Sequence, residues 1–433
     1  MALALQSGKK ARPRKPRGGL VAALDVGTTK ACCFIGRVDE GGMVRVVGAG
    51  FQASQGLRAG TIVDMDATAA AIGHAVNAAE QMSGENLREV IVNVSGGQPT
   101  SQTIAIDYPL AGREVGEGDL QRAAQQARQH FPGGDQRVVH ALPVGYGLDG
   151  TPSIVDPRGM FGDRLEVRFH VVTAAAKALR NLETCIARCH LSVEGMMVSP
   201  YAAGLACLVE DEKDLGCVVI DMGGGTTSFA VFSGGRCVHT DSIPLGGGHV
   251  TNDIARGLTT PVAYAERMKT LYGHAVMTST DERDTLVVPQ VGEEDEPADS
   301  VQVPKSLLVQ IIRPRLEEIF ELVRQRLEAS GTDKLAGRRV VLTGGACQMP
   351  GMRELAQEVL GKKVRIGKPT RILGLTETPS GSPLPPNGPA LATCAGLLLS
   401  AVDSQGELPG LGGEPQGQSG GLFGRLRGLW ESL

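Results

Sequence analysis

One short pattern occurs twice in this chain. Leu24-Asp25-Val26-Gly27-Thr28-Thr29 and Ile220-Asp221-Met222-Gly223-Gly224-Gly225-Thr226-Thr227 each end an apolar run in an aspartate and then turn on glycine, 196 residues apart. A strand–glycine turn–strand hairpin repeated at that distance predicts two halves of common plan. The surroundings repeat too. Leu20–Val26, Ala31–Val38 and Val44–Gln52 read as a three-strand meander, and so do Val218–Met222, Thr227–Ser233 and Arg236–Ile243.

Between the copies, Asp66 is expected to cap a helix running to about Met82, followed by a buried strand at Glu89–Val94. The pattern changes at Gln98. Strand-like Ser101–Asp107, a polar helix Gly118–His130 and strand-like runs at Arg137–Tyr146 and Arg164–Thr173 read as a compact insert. Helices are expected at Ala176–Cys189, Tyr201–Glu210, Pro261–Tyr272, Ser306–Ala329, 353–360 and Ala390–Val402. A strand at Val340–Leu342 ends in two glycines, and an acidic, loop-rich stretch runs to about Ser300. Residues 403–421 are rich in Gly, Pro, Gln and Ser and read as a linker.

Glycine after a buried strand lets backbone N–H groups approach an anion with no Cβ in the way. Gly27, Thr28, Thr29 and Lys30 supply such a cradle with a cation; Gly223, Gly224, Gly225, Thr226 and Thr227 supply the matching one. Two cradles, each led by an aspartate, suit a triphosphate gripped from both sides. Asp25 and Asp221 would then position the water shell of a Mg²⁺ ion, with no residue assigned as a direct metal ligand. Leu342-Thr343-Gly344-Gly345-Ala346 is a third glycine turn, open to a flat base such as adenine. Composition sets limits. Aromatics at 3% and a net charge of −4 argue against nucleic-acid binding. Nine scattered cysteines with no CxxC read as small buried thiols of a reducing cytoplasm. No run approaches the ~18 apolar residues of a membrane span, and no secretory signal is seen.

The order DVGTTK, DMGGGTT, LTGGA resembles that of the actin-like ATPase superfamily. Further strings resemble the FtsA family of bacterial cell-division proteins: Ser54-Gln55-Gly56-Leu57-Arg58-Ala59-Gly60, Pro157-Arg158-Gly159-Met160 to Gly162, Gly246-Gly247-Gly248-His249-Val250-Thr251-Asn252-Asp253-Ile254-Ala255, Ala265-Glu266-Arg267-Met268-Lys269 and Arg315-Leu316-Glu317-Glu318-Ile319. The resemblance spans about residues 20–402. It implies an α/β, actin-like fold of two ribonuclease-H-like lobes with an inserted α+β subdomain.

The domains it implies are a basic arm at 1–18, subdomain 1A at 19–98, an inserted 1C at 99–175 and 1A again at 176–213. Subdomain 2A follows at 214–255, 2B at 256–334, 2A again at 335–389 and the last 1A helix at 390–402; a linker at 403–420 and a terminal helix at 421–433 complete the chain. It implies ATP with Mg²⁺ as cofactors. Gly247, Glu266 and Lys269 would sit at the nucleotide, the last two on the ribose; Gly344, Gly345, Ala346 and Met349 would line the adenine pocket. Glu266 and Lys269 also read as an ordinary i,i+3 surface pair. Implied partners are the C-terminal peptide of FtsZ, other copies of the chain, further division proteins through the insert and an anionic lipid membrane. Arg315, on helix 306–329, is the candidate peptide contact. The implied place is the cytoplasmic face of the bacterial inner membrane at the division site. One position departs: Ser228 stands where many relatives of the motif carry Asp, which leaves the cradle intact and puts a fast hydrolysis step in doubt.

The last thirteen residues are periodic. Leu422, Phe423, Leu426, Leu429, Trp430 and Leu433 fall within an arc of about 120° on a helical projection, flanked by Arg425 and Arg427. That pattern predicts a helix lying in a membrane interface and folding on lipid. Its ceiling is on the order of 10 kcal/mol before ordering costs, so a polymer presenting many tails would bind far better. Residues 1–18 carry +6 and residues 403–433 carry −2, leaving −8 on the body. The arm would attract anionic lipid or be a solvated extension. Two other readings share the fold: a pilus-assembly adaptor of the PilM type, and a small-molecule kinase with no use for such a tail.

Overall fold

The computed structural model describes residues 19–131, 133–279, 281–292, 301–375 and 388–402. The basic arm, the linker and the amphipathic tail lie outside the described residues.

The first meander is β1 (Leu20–Val26), β2 (Lys30–Val38) and β3 (Val44–Ala53), followed by a two-residue-per-strand hairpin, β4 (Leu57–Arg58) and β5 (Thr61–Ile62). Helix α1 (Met65–Ser83) packs on β2 and β3 through Ala71, Ile72, Ala75 and Ala79. Its cap is Asp64, not Asp66: the Asp64 carboxylate accepts from the N–H groups of Asp66 and Ala67 at 3.0 and 2.9 Å. Asp66 sits in the first turn and pairs with Arg188 instead. Strand β6 (Glu89–Val94) then runs parallel to β1.

The insert follows: β7 (Thr100–Pro109), α2 (Glu117–Arg128), β8 (Gln136–Leu148), β9 (Thr151–Ile154) and β10 (Arg164–Ala175), in the sheet order β7-β10-β8-β9. Helix α2 buries Leu120, Ala123, Ala124 and Ala127 in a core of its own with Phe169 and Val167. The chain returns to the first lobe through α3 (Ala176–Arg188) and β11 (Ser192–Val198), completing the six-stranded sheet β11-β6-β1-β2-β3-β19, of which the edge strand β19 is reached much later.

Helix α4 (Ser199–Cys207) is apolar on all sides and all its residues but Tyr201 are buried. The expected Tyr201–Glu210 helix stops early, because Leu208 is extended; a short α5 (Glu210–Leu215) opens the second lobe. There the meander is β12 (Cys217–Met222), β13 (Thr227–Ser233) and β14 (Arg236–Ile243), followed by α6 (Gly247–Gly257) and α7 (Val262–Tyr272). The stretch expected to be loop-rich contains β15 (Thr285–Val288), which pairs with β16 (Val301–Pro304). Helix α8 (Lys305–Ala329) buries Leu308, Ile312, Leu316, Ile319, Val323 and Leu327 at helical spacing, with Pro314 on its exposed side. Then come β17 (Arg339–Thr343), α9 (Met352–Leu360), β18 (Lys363–Ile366) and the edge strand β19 (Ile372–Leu373), and finally α10 (Ala392–Ser400). The second sheet runs β14-β13-β12-β17-β18.

The two sheets share one plan. In each, an antiparallel meander is extended from its first strand by two parallel strands: β6 and β11 beside β1, β17 and β18 beside β12. The apolar helices α4 and α10 cross between the halves. A Cβ on Gly396 would lie 1.7 Å from the Ala202 carbonyl oxygen, so only glycine admits this contact. All nine cysteines are free and eight are buried, as their apolar settings predict. Among the described residues no helix is long and apolar enough to cross a membrane.

Candidate functional site

The repeated hairpins face each other across the junction of the lobes. Each is closed by the same bond: Gly27 N–H donates to the Lys30 carbonyl and Gly223 N–H to the Thr226 carbonyl, both at 2.9 Å. Registers match as well, with Asp25 opposite Cys32 and Asp221 opposite Ser228. The turns interlock. A Cβ on Gly224 would fall 2.3 Å from Thr29 Cγ2, and one on Gly225 would fall 2.4 Å from Thr28 Oγ1. Threonines of the first hairpin thus fill the space that glycines of the second leave open.

Between them lies a narrow cleft open to solvent. Asp25, Gly27–Lys30, Asp221, Gly223–Thr226 and Ser228 line it. Thr227 does not. Strand β13 alternates faces, so Ser228 points to the cleft while Thr227 is wholly buried, its hydroxyl without a partner. Asn93, Ser199 and Thr393 also line the cleft, with no glycine motif to announce them. Asn93, at the end of β6, accepts from Val26 N–H at 2.7 Å and donates to Ser199 Oγ at 3.2 Å. Ser199 opens α4. Thr393, on α10, donates to Asp221 Oδ2 at 2.9 Å. A polar residue interrupting an apolar run was the only sequence signal for Asn93.

Lys30 Nζ donates to the Ala390 carbonyl at 2.5 Å and is the cation beside both aspartates. It does not neutralise them. Burial, opposed by Lys30 and reinforced by the Asp221 charge, pushes Asp25 up to about 7. Burial also raises Asp221, against the Thr393 hydrogen bond and Lys30. Two buried carboxylates with one shared cation fit a further positive charge, and a hydrated divalent ion suits oxygen donors. Among the described residues there is no cluster of three or more His, Cys, Asp or Glu able to bind a metal by itself.

The remaining expected residues sit beside the cleft in the second lobe. The start of α6 docks on the second hairpin: Gly247 N–H donates to the Gly223 carbonyl at 2.9 Å and Gly248 N–H to that of Gly224 at 2.7 Å. Glu266 and Lys269 form the i,i+3 pair, at 2.6 Å, but not a free surface pair. Lys269 Nζ also donates to Thr251 Oγ1 at 2.8 Å and to the Gly247 carbonyl at 3.1 Å, which ties α7 to the start of α6. Gly344 takes φ +89°, and a Cβ there would meet Asp221 Oδ1 at 2.5 Å. Gly345 adjoins Ala390, Ala346 adjoins Gly247, and Met349 lines a neighbouring cavity with Pro389 and Lys368. Arg315 lies near the middle of α8, clamped on both oxygens of Asp253 at 2.6 and 3.2 Å and on Glu318.

Comparison with known proteins agrees with this architecture. The family model described as "Cell division protein FtsA" matches residues 218–396, and that described as "SHS2 domain inserted in FTSA" matches residues 96–173. Cell division protein FtsA of Agrobacterium fabrum is 43% identical over 427 residues, covering 96% of this chain and 94% of that one. The FtsA of Pseudomonas aeruginosa is 36% identical (90% and 91% covered) and that of Escherichia coli 32% (91% and 92%). Among solved structures, a chain of the PilM–PilN type IV pilus biogenesis complex aligns with a TM-score of 0.61 at 19% identity, covering 88% of this chain and 98% of that one. MreB5 of Spiroplasma citri bound to ADP aligns at 0.52 and 14% identity, with 88% and 95% covered. These two show an actin-like fold. With relatives this similar along nearly the whole chain, the chain belongs to the FtsA family of cell division proteins.

Proposed function

We propose that this chain binds ATP with Mg²⁺ in the cleft between its lobes, assembles with further copies of itself and tethers FtsZ to the inner membrane at the division site. The observation that carries the reading is the pair of interlocked glycine hairpins, each presenting a buried aspartate to one cleft. Backbone N–H groups of Thr28–Thr29 and Gly224–Thr226 would hold phosphate oxygens, and Lys30 would add charge. Asp25 and Asp221 would orient the waters of the metal, whose chemistry when bound is to neutralise phosphate charge. Glu266 and Lys269 would meet the ribose, and Gly344–Ala346 with Met349 the adenine. Phosphoryl transfer depends chiefly on positioning and charge. With Ser228 in place of a carboxylate, the site suits a slow hydrolase that works as a switch.

The tail supports the membrane role. Residues Leu422, Phe423, Leu426, Leu429, Trp430 and Leu433 form its apolar face, and polymerisation would supply avidity. The exposed side of α8 is our choice for the FtsZ C-terminal peptide; there an acidic residue of the peptide would compete for Arg315 with Asp253 and Glu318. Liposome titration with and without ATP tests the reading, comparing the full chain with one ending at Gly420. The full chain should bind in a concentration- and ATP-dependent way and report insertion through Trp430, the only tryptophan. Equal lipid binding by the truncated chain, or no response to ATP, would refute it. A pull-down with the FtsZ peptide separates this role from that of a pilus adaptor.

A further inference from the structure

The two aspartates of the cleft are held differently. Among the described residues no hydrogen-bond donor reaches the Asp25 carboxylate. Asp221 is held at one oxygen: Oδ2 accepts from Thr393 at 2.9 Å, while Oδ1 faces Gly344, where a Cβ would collide at 2.5 Å. Thr393 belongs to α10, which packs on α4 and on β1 of the first lobe, whereas Asp221 lies next to the end of β12 of the second. Their bond therefore crosses the cleft.

The segment leading into α10 is pinned at the same place. The Pro389 carbonyl accepts from Thr343 Oγ1 and from Gly344 N–H, both at 3.1 Å, and the Ala390 carbonyl accepts from Lys30 Nζ. Residues 389–393 thus form one wall of the cleft, bonded to both lobes. We infer that Thr393 is a positioning residue: its hydroxyl presents the Asp221 carboxylate, in one fixed orientation, to the cation that accompanies the bound nucleotide. This deepens the nucleotide reading and rests on it. A hydroxyl that accepts nothing from the ligand and only orients a carboxylate should affect the cation-dependent part of binding alone. Outer partners of this kind change metal affinity by roughly 10- to 100-fold.

The test uses the full chain and a fluorescent ATP analogue, titrated in Mg²⁺ and again in EDTA. Thr393→Val keeps the shape and removes the donor. It should lose roughly tenfold in affinity in Mg²⁺, while its affinity in EDTA stays that of the unsubstituted chain. Thr393→Ser should restore the Mg²⁺ value, and Thr393→Ala should repeat the selective loss should the valine variant unfold. Unchanged Mg²⁺ dependence in both hydroxyl-free variants, an equal loss in EDTA, or a serine variant no better than valine would overturn the inference while leaving nucleotide binding intact. An unsubstituted chain that binds no nucleotide in either buffer would overturn the nucleotide reading, and this inference with it.

Discussion

The two glycine hairpins have one backbone and two chemistries. Hairpin bonds, register and parallel neighbours agree between them. Yet the first hairpin contributes side chains, with Thr28 and Thr29 filling the space that Gly225 and Gly224 of the second leave open, and Lys30 supplying the cation. The first leaves its aspartate without a donor; the second has its aspartate held by Thr393. Duplication supplies a matched frame. Function then requires the halves to diverge, since two bulky hairpins would collide and two bare ones would leave the cleft without a cation.

The largest expected effect tests the complementarity. Gly225→Val should force the hairpins apart and cost about 3 kcal/mol of stability, measured by thermal unfolding. Gly27→Ala, whose Cβ would sit 3.0 Å from the Lys30 carbonyl, should cost about 1 kcal/mol. Equal costs would show that the turns do not interlock as described.

The second effect concerns the aspartates. Neutralising a buried charge that lacks a donor should raise the stability of the nucleotide-free protein by about 1–2 kcal/mol for Asp25→Asn, and by less for Asp221→Asn, whose charge is hydrogen-bonded. Both should weaken Mg²⁺–ATP binding by about a hundredfold. Lower stability in Asp25→Asn would contradict the raised pKa.

Asp119 of the insert provides the opposite case. Like Asp25 it is little exposed, but it lies nearer the surface, and Arg113 and Arg122, both at 2.9 Å, and the Gly116 N–H hold its carboxyl well below the usual carboxylate range. The signs differ accordingly. Asp119 contributes stability that is present above its unfolded value of about 3.9 and is lost as the pH falls further. Asp25, raised to about 7, favours the fold as the pH falls from there toward 3.9. Asp119→Asn should cost about 1–3 kcal/mol at neutral pH and flatten the acid limb of an unfolding profile; an unchanged limb would count against the arginine clamp.

The smallest effect is expected from making the halves more alike. Ser228→Cys gives the second hairpin the residue found opposite Asp25 in the first. It should shift stability by no more than about 0.5 kcal/mol and leave nucleotide affinity unchanged, as fluorescence titration would show.

Much of this was legible because the repeated motif is local. Strand, aspartate and glycine turn lie within eight residues, and the 196-residue offset exposes the second copy. Helix α8 was equally plain, its period surviving Pro314 because that residue faces solvent. What escaped reading depends on pairs distant in sequence. Asn93 serves the site because β6 runs beside β1, and Thr393 because α10 crosses the lobe junction. The repeated motif puts Thr227 in the cradle, but the two-residue period of a strand turns it inward. Polar residues between its strands mask the β15–β16 pairing, and Asp64 and Asp66, two residues apart, offer the same capping carboxylate.

The insert has a mechanical consequence. Its chain leaves and re-enters through the first lobe, yet its strands bond to the second. Ser101 Oγ donates to the Thr240 carbonyl at 2.7 Å and accepts from the Thr240 N–H at 3.0 Å, while Arg236 donates to the Val155 carbonyl at 2.9 Å and lies over the Tyr146 ring. The lobes also meet at the α4–α10 crossing. Two bodies joined at one bearing turn freely, but a strut fixed to both makes a triangle, and a triangle cannot change one angle without straining a side. Any widening of the cleft must therefore bend the insert or break its grip on β14.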